Sequence, residues 1–149
     1  MKYKIIILAM VLAVIAAGAY FYVNRKTQSL NDSRADFEIK ANKFLEEYNA
    51  DQVLSDKKYL GKIIQVDGNL KDIERDNKGF LTFVIGDSTS MSSIRCSIDT
   101  TTVIDESAYP IGSAVSIMGE CTGFNADDLG LGADIVLNRA VIINNKNNR

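Results

Sequence analysis

The chain has 149 residues, 46% hydrophobic and 24% charged, the balance of one globular domain with room for an appendage. With no His, no Trp and two Cys it lacks the side chains for a Ser-His-Asp triad, a Cys-His pair, the common Cys/His zinc sites and a His-ligated haem. The formal charge of −2 is uneven: Lys2, Lys4, Arg25 and Lys26 lie in the first 26 residues, which hold no acid, so the remainder carries 13 basic and 19 acidic residues, a net of −6. An acidic domain must overcome repulsion before it can replace the counterions of a polyanion, which disfavours nucleic acid as a ligand.

Residues 1–4 form a short basic tail. From Ile5 to Val23 run 19 residues without a charge. At ~1.5 Å per residue a helix of that length just covers a ~30 Å hydrocarbon core. Tyr20, Tyr22, Arg25 and Lys26 supply the aromatic and basic flank of a membrane span. The competing reading is a cleavable signal peptide, with Lys2 and Lys4 before an apolar run and Ala17-Gly18-Ala19 as a small-x-small cleavage site. No Cys lies nearby to carry a lipid. Either way the acidic domain beyond this segment is exported. The expectation is a single-pass protein of the cytoplasmic membrane, tethered by Ile5–Val23, with its C-terminal domain outside the cytoplasm and an envelope protein or peptide as partner.

Residues 24–32 read as a polar stalk, and 33–60 as a helical segment. Ser33 and Asp36 have capping-box spacing, and Phe37, Ala41, Phe44, Leu45 and Tyr48 then recur on one helical face. A second short helix is expected over 51–59, ended by Gly61. From Lys62 the period changes to two. Strands are expected around Ile64–Leu70, Phe80–Ile85, Ile94–Ile98, Val115–Cys121 and Asp134–Ile143, with a turn at Arg75–Gly79, a long connection at Asp99–Ser113 and a loop at Thr122–Ala133. Residues 61–143 therefore predict a mainly β domain, a five-stranded Greek-key barrel of the OB type behind an amphipathic helix and a membrane helix. Mid-strand Gly68 and Gly119 favour the tight coiling of such a barrel. The alternative is an open sheet packed on the helix. Residues 144–149 read as a disordered tail.

Several runs support the barrel: Phe44 to Asp51, Lys58-Tyr59-Leu60-Gly61-Lys62 leading into Ile64-x-Val66-x-Gly68-x-Leu70, Arg95 to Ile98, Ile111 to Gly123, and Ile135 to Asn138. Over residues 37–143 the chain resembles the tRNA_anti-like family of bacterial OB-fold domains. The resemblance implies an OB fold and an envelope setting, and it implies no reaction. A membrane helix ahead of an exported OB domain also describes the haem chaperone of cytochrome c maturation, which attaches haem through a His that this chain lacks.

Three constellations are candidates for chemistry. Strand parity points Cys96 and Cys121 into the barrel, as two buried thiols, a disulfide in an oxidising compartment, or a redox pair without a Cys-x-x-Cys. The usual OB ligand face would present Phe80, Thr82 and Val84 on one strand and Ser93, Arg95 and Ser97 on the next. With Phe124 from the last loop, Phe80, Thr82 and Arg95 are the expected ligand-binding residues. Asn125, Asp127, Asp128 and Asp134 could offer oxygens to Ca²⁺, but no EF-hand spacing is present and a solvated acidic loop is the better reading. No catalytic residue, metal or cofactor is expected. The function these features predict is a non-catalytic binding or interaction module, the alternative being a nucleic-acid-binding OB domain in the cytoplasm.

Overall fold

The computed structural model describes residues 34–100, 102–126 and 132–143, together with Met10, Gly18 and Leu30. The expected span Ile5–Val23, those two residues apart, lies outside the described residues, as do 127–131 of the acidic loop and the tail 144–149. Among the described residues no helix is long and apolar enough to cross a membrane. The elements in chain order are β1 (Phe37–Lys40), α1 (Ala41–Ala50), α2 (Gln52–Tyr59), β2 (Ile63–Arg75), β3 (Leu81–Ile85), β4 (Ser93–Ile98), a 3₁₀ turn (Glu106–Ala108), β5 (Ala114–Ala126) and β6 (Ala133–Ile142).

The period-two pattern becomes a closed barrel. β3 lies antiparallel between β2 and β4, β4 runs parallel to β6, β6 pairs antiparallel with β5, and β5 returns antiparallel to β2. That closure is the expected Greek-key arrangement and excludes the open sheet. The inward residues include Ile64, Val66, Leu70, Phe83, Ile85, Ile94, Ile117, Ile135 and Leu137, all buried. Three bulges bend the wall, each one extra residue: Lys71 on β2, Thr122 on β5 and Arg139 on β6, the last shifting the register against both β4 and β5. A bulge of this kind increases local coiling and reverses the in/out alternation beyond it.

The helical segment differs from expectation at its start. Phe37–Lys40 form a strand parallel to Ile64–Asp67 of β2, and the helix begins only at Ala41. Asp36 does not cap it. Its carboxylate accepts the N–H of Ile63 at 2.8 Å while its own N–H donates to the Ile63 carbonyl at 2.7 Å, so this non-local pairing replaces the capping box. Ser33 lies outside the described residues. The later part of the stripe behaves as a helix should: Ala41, Phe44, Leu45 and Tyr48 are buried against the barrel. Each large side chain so buried contributes about 1.5–3 kcal/mol. The second helix is present, capped by Asp51, whose carboxylate accepts the Leu54 N–H at 2.9 Å. Gly61 comes next with φ 72°, a left-handed turn that favours glycine. The expected loop Thr122–Ala133 is corrected in its first half, where Thr122–Ala126 continue β5 and pair with Ala133–Val136.

The two helices meet the barrel through aromatic rings. Phe44 packs edge-on against Tyr59 with centroids 4.9 Å apart and against Tyr48 at 5.5 Å. Tyr59 donates to the Glu47 carboxylate at 2.6 Å, and Lys58 reaches the same oxygen at 2.8 Å. These two donors, Lys58 foremost, hold the Glu47 carboxyl below its ordinary pKa.

This packing sets two expected outcomes. A Cβ added at Gly68 would lie 2.6 Å from Ile85 Cγ2 and 2.8 Å from Ala41 Cβ, so Gly68→Ala should destabilise the domain by about 1–3 kcal/mol, read as a lower unfolding midpoint. Because the Glu47 pKa is lowered in the folded state, its contribution is complete above the unfolded value of about 4.3 and is lost as pH falls through the native one. Glu47→Gln should therefore cost about 1 kcal/mol near neutral pH, a gap that narrows in thermal melts as the pH is taken below the usual carboxylate range.

Candidate functional site

On the outer wall, strands β3, β4, β6 and β5 bring a row of polar side chains together. Thr82 stands opposite Ser97, and Asn138 opposite Glu120. With the turn before β3 and the chain leaving β4 they line a shallow hollow of about 570 Å³ that includes Phe80, Asp76, Asp99 and Arg139. Phe80 presents a ring 48% exposed. Arg139 has φ 55°, an uncommon conformation for a residue with a long side chain, at the bulge on β6. The bulge turns Arg139 outward, 3.4 Å from the Glu120 carboxylate, and leaves Ala140 to fill the inward position.

The expected ligand residues are divided by this geometry. Phe80 and Thr82 line the hollow. Arg95 is on β4, opposite Val84, and is held by Glu74 of β2 and by Asp134 of β6 at 3.8 Å. The Glu74 carboxylate, first among these, raises the Arg95 pKa. Val84 and Ser93, expected to face outward as free surface, are buried. Phe124 is half-buried and turned toward the core: beyond the Thr122 bulge its ring stacks on Tyr48 with centroids 4.9 Å apart and planes 13° from parallel. Strand parity already turns Glu120 and Asn138 outward, but only the pairing of β5 with β6 sets them together; Arg139 escapes parity because the bulge that orients it leaves no mark in the hydrophobic pattern.

Cys96 and Cys121 are both buried and both free. The disulfide reading is corrected by register: Cys96 on β4 and Cys121 on β5 each stand opposite Leu137 of β6, which intervenes between them. Two strand spacings put their Cα atoms on the order of 10 Å apart, beyond the ~7 Å limit for a bridge. Tyr48 Oη lies 3.5 Å from Cys121 Sγ. Burial pushes both thiols up, the opposite of what a redox pair requires. Among the described residues no group of His, Cys, Asp or Glu could hold a metal ion.

A closed five-stranded barrel with a polar outer hollow defines an OB-type domain. The chain belongs to the tRNA_anti-like family, whose profile matches residues 1–134. Among solved structures it is similar to a provisionally assigned nucleic acid-binding lipoprotein from Klebsiella pneumoniae. The two share 19% identity with a TM-score of 0.58, over 78% of this chain and 100% of the other, which establishes a shared fold. Asparaginyl-tRNA synthetase from Pyrococcus horikoshii matches 58% of this chain and 20% of its own, at 20% identity and a TM-score of 0.36, too low to carry an argument. No curated protein matches the chain.

Thiol titration checks the cysteine geometry. At about pH 8 neither Cys should react with Ellman's reagent in the folded protein, and both should react after denaturation without reductant. Absence of free thiol in the denatured chain would mean a bridge.

Proposed function

We propose that the chain is a non-catalytic binding module, an OB barrel held at the outer face of a bacterial cytoplasmic membrane by residues 5–23, whose outer hollow receives a protein or peptide segment. The observation that carries this reading is electrostatic. The three arginines of the barrel each have a carboxylate partner: Arg75 with Glu106, Arg95 with Glu74 and Asp134, and Arg139 with Glu120. A phosphate approaching any of them meets that carboxylate, on a domain already at −6. The hollow adds Asp76 and Asp99. Such a surface complements the positive charge and amide groups of a peptide better than a polyanion. The tether is the 19-residue uncharged segment, and the similarity to a lipoprotein supports an envelope setting.

A second reading, binding of single-stranded nucleic acid, is favoured by the provisional assignment of that lipoprotein. Fluorescence anisotropy with single-stranded RNA and DNA at low salt separates the two. The peptide reading expects no binding whose affinity falls steeply with added salt, whereas such binding would establish the second. Protease added to intact spheroplasts should digest the barrel, and carbonate-washed membranes should retain the full chain. Protection until the membrane is opened would overturn the exported placement.

A further inference from the structure

One helix face in this molecule is arranged against the usual rule. In α2, Ser55 and Tyr59 turn inward, while Val53 and Leu54 remain 65% and 62% exposed, and Leu60 just beyond the helix is 50% exposed. Lys57, Lys58 and Lys62 are exposed or half-buried among them. Residues 51–62 carry three Lys against two Asp, a net of +1, whereas the rest of the chain from residue 27 onward carries −7. Asp51 is turned to its own helix as a cap and Lys58 is paired with Glu47, which leaves Lys57 and Lys62 as the cations beside the apolar residues. Exposed aliphatic side chains ringed by lysine on one face of a helix are the features of a segment that rests in a lipid headgroup layer.

The path of the chain says what covers this face. Leu30 is buried with Met118 and Val141, in a cluster that Ile63, the first residue of β2, joins. Lys62 and Leu60 lie just before that point in the chain. Only six residues lie between Val23, the end of the uncharged segment, and Leu30, and the seven steps from one to the other reach at most about 25 Å when fully extended. The chain is therefore fastened to the barrel beside the exposed face of α2, within reach of the end of its membrane segment.

We propose that the outward face of α2 and the turn after it, Val53, Leu54 and Leu60 with Lys57 and Lys62, docks on the anionic surface of the membrane in which residues 5–23 are anchored. This rests on reading those residues as an anchor. Docking fixes the orientation of the barrel. β4 runs parallel to β2, so the connection after β4, with Val103 fully exposed, leaves the end of the barrel away from Ile63 and faces outward.

The test uses the full chain in vesicles, with a nitroxide at Leu54→Cys or, as a control, at Val103→Cys; the two native thiols are buried and stay unlabelled in the folded protein. In phosphatidylcholine containing about a quarter phosphatidylglycerol, a water-soluble nickel relaxant should reach position 54 roughly fivefold less than position 103. Lys57→Glu with Lys62→Glu, or vesicles of phosphatidylcholine alone, should restore access at 54. Loss of the chain from floated, carbonate-washed vesicles would overturn the anchor and the docking together. A retained chain with 54 as accessible as 103, or equally shielded in both lipid compositions, would overturn the docking and leave the anchor standing. Spin–spin broadening at 54 that rises with protein density would show a second copy on this face, which also overturns it.

Discussion

β2 must serve three neighbours at once. Its first half pairs with β5 on one edge and with β1 on the other, and its second half pairs with β3 on the edge that β1 occupies lower down. A strand used this way has to coil sharply, and the chain supplies the means at Gly68 and at the Lys71 bulge. Gly68 lets α1 and β3 approach its backbone together, and the bulge moves Ile73 toward the core after Leu70. Without that coil β5 could not return to β2, and the sheet would keep two open edges.

The end of the barrel near Ile63 is closed by α1 and α2, and its chemistry is dictated by the side chains that must be buried there. Phe44, Tyr48 and Tyr59 bring large apolar area and two hydroxyls. The Tyr59 hydroxyl is satisfied by Glu47, and the Tyr48 hydroxyl lies beside Cys121 Sγ, a weak partner in an apolar setting. Burial accordingly raises the Tyr48 pKa, and the hydroxyl stays neutral. The ionic contact between Glu47 and Lys58 sits at the edge of the plug, where water still screens it.

What the sequence made legible was everything governed by uninterrupted periodicity. Ile64, Val66 and Leu70, then Ile94, Cys96 and Ile98, and then Val115 and Ile117 alternate strictly, and all are inside. Phe37 to Lys40 failed because Phe37 and Ile39 fit a strand and a helix equally well over four residues, and the decision was made by hydrogen bonds to Ile63, 27 residues from Asp36. Thr122 to Ala126 failed because Gly123 and Asn125 read as loop residues, while the partner that makes them a strand, Ala133 to Val136, lies beyond a turn. Local propensity carries no information about such partners.

The candidate site was legible at Phe80 and Thr82, which precede any bulge on their strand, and illegible at Phe124 and Arg139, which lie beyond or at one. Extrapolated parity puts Phe124 outside and Arg139 inside; each extra residue reverses the assignment. The same local shifts that close the barrel therefore decide what its outer face can recognise. With Phe124 stacked on Tyr48, Phe80 is the ring offered to the hollow, fewer than a surface that stacks successive bases needs. With Arg139 brought out beside Glu120, the face gains a guanidinium together with its counter-charge, so its polarity alternates over short distances. A uniform polyanion gains little from alternating charge, whereas a segment carrying amides and a positive side chain can match both signs in one register, and barrel closure has placed that selectivity on the wall.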